Sequence, residues 1–555
     1  MVTTHFQPSG AVGRELSTFN AQRSTFNQSA PERHLKVERC KLNVERSPLL
    51  LTLILLLTIT LGGSALAQPK PTAPKKERPA SRQPKDEAEY YKILTFEPPE
   101  GVMIEAGAIA ILPDPNTIAV STRRGDVYFV ENAYAADPTE AKFKKWAGGM
   151  HEVLGLVYNP KDQFLYAVQR GEVTRLKDTD GDGVCDVYET FCDDWGISGD
   201  YHEYAIGSTS FDKDGNLFVV LCLTGSFTSE APFRGWCLKI TPEGKAVPYA
   251  SGIRSPAGMA FNGKGELFYT DNQGPWNGTS SLKLLEEGAF EGHPIGNKWY
   301  KLAPNLGKQP PDPQDKSRFL TEAQKIKEYH PPVILLPHQK VGQSASGIAF
   351  DLSGGKFGPW QDQVFCNDQN FSNITRCSLQ KVDGRYQGVC IPFLSGFSSG
   401  NVPMIQAPDG SLFVGGTNRG WGSRGPLQGA LEHVVWTGKV PFEVQDMKAT
   451  PDGFDLTFTE PVDKGSAGTP SSYTMSTFTY IYRAEYGSPE VDQTKPNITA
   501  ATVSDDGLKV HLVVDGLKPG NIHELKLPGV KSGKDSSKGL LHPIAWYTLW
   551  SIPKK

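Results

Sequence analysis

Along most of the chain, apolar residues alternate with polar ones in short runs broken by Gly, Asp, Asn and Pro. That period of two predicts half-buried strands. From about Gly107 the runs recur as a unit: a small residue, an apolar pair, a polar turn, then a strand. The copies are Gly107-Ala108-Ile109-Ala110 leading to Thr117–Val120, Gly155–Tyr158 leading to Phe164–Val168, and Gly207–Phe211 leading to Leu217–Val220. Three more are Gly258–Phe261 leading to Leu267–Thr270, Gly347–Phe350 leading to Gln363–Phe365, and Val402–Ile405 leading to Leu412–Gly415. Asp214-Gly215 and Asp409-Gly410 supply turn residues between alternating flanks. A repeat of about fifty residues carrying several strands is a propeller blade. The expected fold is therefore all-β, a six-bladed β-propeller over 93–440. An insertion over 285–343 lengthens the fourth unit and should cover one face as a loop or lid. Past Trp436 the repeat stops, and alternation at Phe454–Thr459, Lys509–Val514 and Ile522–Leu527 predicts a small C-terminal β-sandwich over 441–555.

Composition narrows the class. The chain has 555 residues, 57 Gly, 42 Pro and a net charge of −4, which leaves no basic footprint for nucleic acid. Arg39, Lys41 and Arg46 precede an apolar run from Leu49 to Leu61, and Ala65-Leu66-Ala67 follows with small residues at the two positions a signal peptidase reads. The expectation is a signal peptide over 1–67 with a long polar beginning, cleaved after Ala67. The protein would then be exported to periplasm, cell surface or medium, with no stable transmembrane span in the mature form. The run is short for a spanning helix; an uncleaved anchor is the alternative. Residues 68–92, rich in Pro and Lys, read as a disordered tether. Of eight cysteines, Cys40 precedes the cut. Export permits disulfides among the rest, with Cys222 and Cys237 bracketing one hairpin and Cys366, Cys377 and Cys390 on successive strands.

The most specific chemical signal is Asp178-Thr179-Asp180-Gly181-Asp182-Gly183-Val184-Cys185-Asp186-Val187-Tyr188-Glu189. Asp at positions one, three and five, Gly at six and Glu at twelve follow the calcium-loop pattern, with Asp178, Asp180, Asp182, Val184, Asp186 and Glu189 as the metal-ligand set. The segment before it, Gly171–Leu176, alternates like a strand, so the loop is not an EF-hand. A solvated acidic turn is the plain alternative. As a calcium loop on blade two it should rigidify the path into Tyr201-His202.

His202 lies just before the third blade, where a neutral imidazole could take a proton from an alcohol. Glu203 is its neighbour, but adjacent residues on an extended chain point opposite ways. Arg254, before blade four, suits an anionic or carbonyl-rich ligand. Asp271 and Asn272 follow the core strand of blade four, His338 precedes blade five, and Arg419 follows the core strand of blade six. Each has a structural alternative as a loop bridge or blade-to-blade ion pair. Polar groups from several blades facing one axis could converge on a single ligand, with His202, Arg254 and Arg419 around one mouth of the channel.

The repeat, His202, and Gly252-Ile253-Arg254-Ser255-Pro256-Ala257-Gly258-Met259-Ala260-Phe261 together resemble the soluble quinoprotein glucose/sorbosone dehydrogenase superfamily. The whole chain, by Asp178–Glu189, Gly416–Gly422 and Trp436–Glu443, is similar to the exported propeller proteins of planctomycetes labelled membrane-bound dehydrogenase-like. Many of those add a c-type haem domain; this chain has no Cys-x-x-Cys-His. The resemblance implies oxidation of a sugar, another alcohol or an aldehyde. In it His202 is the base, Arg254 contacts pyrroloquinoline quinone, and a separate electron acceptor takes the electrons. Two departures stand out: Ser255 replaces the family's Asn, and Thr270–Gly274 follows its pattern only in part. The competing function is a non-catalytic, calcium-stabilised propeller that binds glycan or protein at the cell surface. Lactonase-type hydrolysis is a third possibility.

Overall fold

The computed structural model describes residues 82–554; the expected signal peptide and residues 68–81 of the expected tether lie outside them. Five antiparallel sheets of four strands, with four strands of an eight-stranded sheet, correspond to the six repeats. Blade one comprises Ala106–Ile111, Thr117–Thr122, Val127–Glu131 and Lys142–Ala147, and blade two Gly155–Asn159, Phe164–Val168, Val173–Lys177 and Val187–Cys192. Blade three comprises Ala205–Gly207, Leu217–Leu221, Trp236–Ile240 and Ala246–Ser251. Blade four comprises Pro256–Phe261, Leu267–Asp271, Ser281–Leu285 and Ile334–Leu335. Blade five opens with Ala345–Phe350, Val364–Asp368, Asn373–Val382 and Arg385–Ser395. Blade six takes Asn401–Gln406, Leu412–Thr417 and Gly429–Trp436 from its own repeat, and Tyr91–Thr95 from the other end of the chain as its outermost strand. The innermost strands adjoin one another in order, and the last meets the first, so the sheets close into a ring.

The glycine opening five of the repeats has a packing reason. A Cβ on Gly155 would sit 2.7 Å from the Cα of Gly207, one on Gly258 2.5 Å from the Cα of Gly347, and one on Gly107 2.1 Å from the Val153 carbonyl. The innermost strands nearly touch around the axis, leaving a cavity of about 40 Å³ between them. The channel is a packed core rather than a pore.

Residues 444–549 hold two further groups of strands. Val444–Thr450, Gly453–Phe458, Lys509–Asp515 and Asn497–Val503 form one sheet. Glu490–Thr494, Thr474–Tyr480, Asn521–Lys526 and Ile544–Leu549 belong to blade five itself, because Ile544–Leu549 pairs with Arg385–Ser395 (Val389 opposite Tyr547). One apolar cluster joins both groups, with Phe454, Leu456 and Leu512 on one side and Leu525, Tyr547 and Leu549 on the other. One of the two C-terminal sheets thus continues blade five outward, and the other packs against it through this cluster. The insertion packs its Phe319 and Tyr329 against Tyr482 of the C-terminal segment, and its Pro294–Leu302 stretch reaches the hairpin between the second and third strands of blade three, where Trp299 Nε1 donates to Ser229 Oγ (2.8 Å).

Two expectations change. Residues 85–92 are ordered: Lys85–Ala88 is a short helix, and buried Glu87 accepts bonds from the Ser395 N–H and hydroxyl. Cys185, Cys192, Cys222, Cys237, Cys366, Cys377 and Cys390 are all buried free thiols, although Cys377 and Cys390 stand opposite in register.

His542 sits where the amino-terminal helix, blade five and the C-terminal segment meet, 2.6 Å from Glu443 and 3.5 Å from Glu87. Burial would lower its pKa, but the two carboxylates outweigh burial and push it up to about 9. Its charged form therefore contributes stability fully below the ordinary histidine value of about 6.5, and that contribution is lost as pH rises through 9. Unfolding in urea should show stability falling from pH 6.5 to 9.5, with the slope flattened in His542→Gln; equal slopes in both proteins would contradict the assignment. At the ring, Gly258→Ala should cost about 1–3 kcal/mol by overpacking. Gly171→Ala, where a Cβ meets nothing within 4 Å, should be near neutral. Equal midpoints for the two would contradict the close-approach reading.

Candidate active site at the channel mouth

Antiparallel alternation puts two sets of loops on one face of the ring. These are the connections leading into each innermost strand and the hairpins between each blade's second and third strands. Glu105, Glu152, His202, Arg254 and His338 lie in the first set; Arg123, Arg124, Arg170, Asn272 and Arg419 lie in the second. Topology alone therefore gathers the predicted residues on one face.

Two buried carboxylates organise that face. Glu105 accepts bonds from Arg124 Nε (2.7 Å), Arg419 Nη2 and Gln428 Nε2 (2.8 Å). Burial pushes its pKa up, but these donors outweigh burial and hold it at about 2. Glu152 accepts from Arg123 Nε (2.8 Å) and from Arg170 Nε. It sits at φ 54°, a left-handed conformation that a non-glycine residue keeps only when its surroundings enforce it. Arg170 also donates to the carbonyls of Asp200 (2.8 Å) and Tyr201, fixing the loop that carries His202. Arg123 Nη1 donates to the Arg419 carbonyl at 3.0 Å, so Arg419 joins the same chain of contacts.

His202 is half-buried, its backbone N–H donating to Asp200 Oδ1 at 2.7 Å and its ring 4.9 Å from that of Tyr204. Burial lowers its pKa most, the charges of Arg254 and Arg123 lower it further, and Asp200 and Glu152 oppose them; it falls to about 4. Among the described residues neither ring nitrogen has a hydrogen-bond partner. The side chain is a neutral base at pH 7, uncommitted and flanked by guanidinium groups. Glu203 turns the other way and fastens the loop by accepting from Ser198 Oγ (2.7 Å), Ser198 N (2.6 Å) and Thr224 Oγ1 (2.5 Å).

Arg254 is 4 % exposed. Its Nε donates to the Ser226 carbonyl (3.2 Å), and Nη1 donates to the carbonyls of Gln273 (2.5 Å) and Asn272 (3.4 Å). Gly274 makes room for it, since a Cβ there would lie 2.1 Å from the guanidinium. Phe227 and Tyr486 lie over the group, ring centres 5.7 and 5.2 Å from its carbon. Arg254 therefore shapes the loop and the field around His202; its Nε and Nη1 are committed to backbone. Asp271 is buried beneath, accepting from the Ser255 N–H (2.7 Å), the Arg254 N–H (3.2 Å) and Lys283 Nζ (3.2 Å), an anchor for the Arg254 loop. Asn272 Nδ2 donates to the Ser255 carbonyl (3.1 Å), and its Oδ1 is buried without a partner. His338 stands apart: its N–H donates to Tyr480 Oη (3.2 Å), and burial lowers its ring pKa. The structure thus brings His202, Arg254 and, through Arg123, Arg419 into one constellation, while Asp271 supports it from below and His338 faces the C-terminal strands.

The sequence reading missed Glu105, Arg123, Glu152 and Arg170. A signal was present. An Arg-Gly pair closes the same hairpin in blades one, two and six, at Arg124-Gly125, Arg170-Gly171 and Arg419-Gly420. Tyr486 had no local signal, because it reaches the mouth from the C-terminal segment.

The acidic loop joins the third and fourth strands of blade two as a hairpin without flanking helices. Ligand atoms of Asp178, Asp180 and Asp182 lie within 4.8 Å of one another. Asp178 accepts from the N–H groups of Gly181 (2.7 Å) and Gly183 (2.9 Å), so the loop is already wound inward. Glu189 lies instead opposite Arg175 and is paired with it at 2.5 Å, and Asp186 accepts from the Thr179 N–H (2.9 Å). Val184, at position seven, is half-exposed. The loop and His202 lie beyond opposite ends of the strand Val187–Cys192, about 20 Å of extended chain. The expected stiffening of the path into His202 loses its geometric basis.

No family model and no curated protein matches the chain. Similar solved structures include an oxidoreductase (glucose dehydrogenase) of Thermus thermophilus, at 21% identity and TM-score 0.45, covering 62% of this chain and 100% of that one. The PQQ-bound aldose sugar dehydrogenase of Streptomyces coelicolor matches at 16% and 0.44, covering 62% and 98%. The apo-form soluble aldose sugar dehydrogenase of Escherichia coli matches at 16% and 0.43, covering 62% and 99%. Likenesses at this level carry nothing about chemistry, which rests on the residues above.

A histidine titration by NMR should show His202 neutral down to about pH 5, with a midpoint near 4. Arg123→Gln removes one of the opposing charges and should raise that midpoint. A midpoint near 6.5 in the parent would contradict the burial and charge assignment.

Proposed function

We propose that this chain is a quinone-dependent dehydrogenase that oxidises a sugar or another alcohol in an exported setting and passes the electrons to a separate acceptor. The observation that carries the reading is His202, an unprotonated imidazole at the channel mouth whose ring nitrogens have no hydrogen-bond partner among the described residues. It would accept the hydroxyl proton while a hydride leaves the same carbon, giving a carbonyl product. Pyrroloquinoline quinone, when bound, supplies the two-electron acceptor. The donor set suits such an anion: Arg123 and Arg254 set a positive field around His202, and Arg419 and Arg124, bonded to Glu105 on one side, are both substantially exposed on the same face. Arg254 would act through that field and through the loop it holds, with its Nε and Nη1 on carbonyls.

Calcium at Asp178, Asp180 and Asp182 belongs to the same proposal, now as a staple of the outer hairpin of blade two. Exported calcium modules bind at roughly 10⁻⁴–10⁻³ M. Calcium at a few millimolar should raise the melting temperature of the parent and leave Asp180→Ala/Asp182→Ala unmoved. No shift in the parent would remove calcium from the proposal.

For turnover, purified protein with pyrroloquinoline quinone and calcium should reduce an artificial electron acceptor when given a sugar panel. His202→Ala should lose about 10²–10⁴-fold in rate. Activity unchanged by His202→Ala, or none with any sugar or alcohol, would overturn the enzyme reading in favour of a non-catalytic binding propeller.

A further inference from the structure

Not every arginine of the mouth face is paired with a carboxylate. The hairpins of blades five and six border an open cavity of about 510 Å³, lined by Asn370, Trp421, Gly422, Ser423 and Arg424. The two hairpins are tied together. The Arg424 N–H donates to the Asn370 carbonyl (2.8 Å), Asn370 Nδ2 donates to the Gly422 carbonyl (2.8 Å), and the Gly425 N–H donates to Ser372 Oγ (2.9 Å). The walls are therefore held without a ligand.

Two side chains give the cavity its chemistry. Trp421 is 49 % exposed, a large apolar ring left in water. Arg424 lies flat on the Phe371 ring, its guanidinium carbon 3.5 Å from the ring centre, which fixes its direction. Arg123, Arg124, Arg170 and Arg419 are each bound to Glu105 or Glu152. Arg424 has no carboxylate partner among the described residues, and neither has Arg82, whose Nη1 donates to the Arg424 carbonyl at 2.6 Å. A pre-oriented guanidinium offers a carboxylate two parallel N–H donors. An exposed indole offers a face to a ring with apolar C–H groups. The depression is open to solvent, so a small saccharide would lie across it against both side chains.

We infer that this cavity binds an acidic sugar, its ring against Trp421 and its carboxylate on Arg424. Binding needs neither His202 nor a quinone, so the inference stands apart from the dehydrogenase reading. Calorimetric titration of the full protein with D-glucuronate, D-glucose and sodium sulfate tests it. Glucuronate should bind at least tenfold more tightly than glucose, and sulfate at equal concentration should not displace it. Arg424→Gln should erase the preference for glucuronate, and Trp421→Ala should weaken both sugars. His202→Ala should bind glucuronate like the parent, which separates this site from turnover. Both cavity side chains lie at the surface, so melting temperatures close to the parent's would verify folding. No glucuronate binding, an unchanged preference in Arg424→Gln, or displacement by sulfate would each overturn the inference.

Discussion

The near-contact of the innermost strands around one axis is the constraint on which the rest depends. With Gly258 over Gly347 and Gly155 over Gly207, backbones approach to distances no side chain would allow. Close packing of this kind transmits small volume changes directly into strain. It also fixes which loops face each other: residues nearly three hundred positions apart, Arg123 and Arg419, become hydrogen-bonded neighbours. Closure is completed by Tyr91–Thr95 pairing with Gly429–Trp436, so the first strand of the described chain locks the last blade. Tyr91 strengthens that lock through its hydroxyl, which donates to the Phe357 carbonyl at 2.9 Å in blade five.

On this frame the mouth behaves as an electrostatic device. Glu105 and Glu152 are buried acids, each surrounded by guanidinium groups contributed by neighbouring blades. Desolvating a carboxylate is expensive unless partners compensate it, and removing a partner leaves an uncompensated buried charge. The arrangement therefore stiffens the loops while leaving cations around His202. Burial, then the charges of Arg254 and Arg123, keep that imidazole unprotonated. Arg123 is the side chain that belongs to both the carboxylate network and the field around His202.

Much of the fold was legible because local periodicity and blade structure coincide: the six repeats map onto the inner strand pairs of the six blades. Arg254 and His202 were found because they sit within a few residues of the start of those strands. The roles were harder to read. Arg254 looked like a ligand contact, yet its Nε and Nη1 end on backbone carbonyls, a choice made by the Gln273-Gly274 turn folding back over it. Glu189 completed a twelve-residue pattern, but strand pairing placed it opposite Arg175, and register overrode spacing. The continuation of blade five into the C-terminal strands links Gly388–Cys390 with Trp546–Thr548, about 160 positions apart, and no period in the sequence encodes it.

That continuation brings Tyr486 and Tyr480 toward the mouth, so the C-terminal segment takes part in the site. The central claim nevertheless rests on one side chain, His202. The most direct measurement is anaerobic and single-turnover: full-length protein loaded with pyrroloquinoline quinone and calcium, mixed with a sugar that the parent oxidises. The parent should bleach the oxidised quinone absorption, and His202→Gln should bind the quinone equally well yet bleach it at least about a hundredfold more slowly. Equal rates in the two proteins would contradict the assignment of His202 as the base.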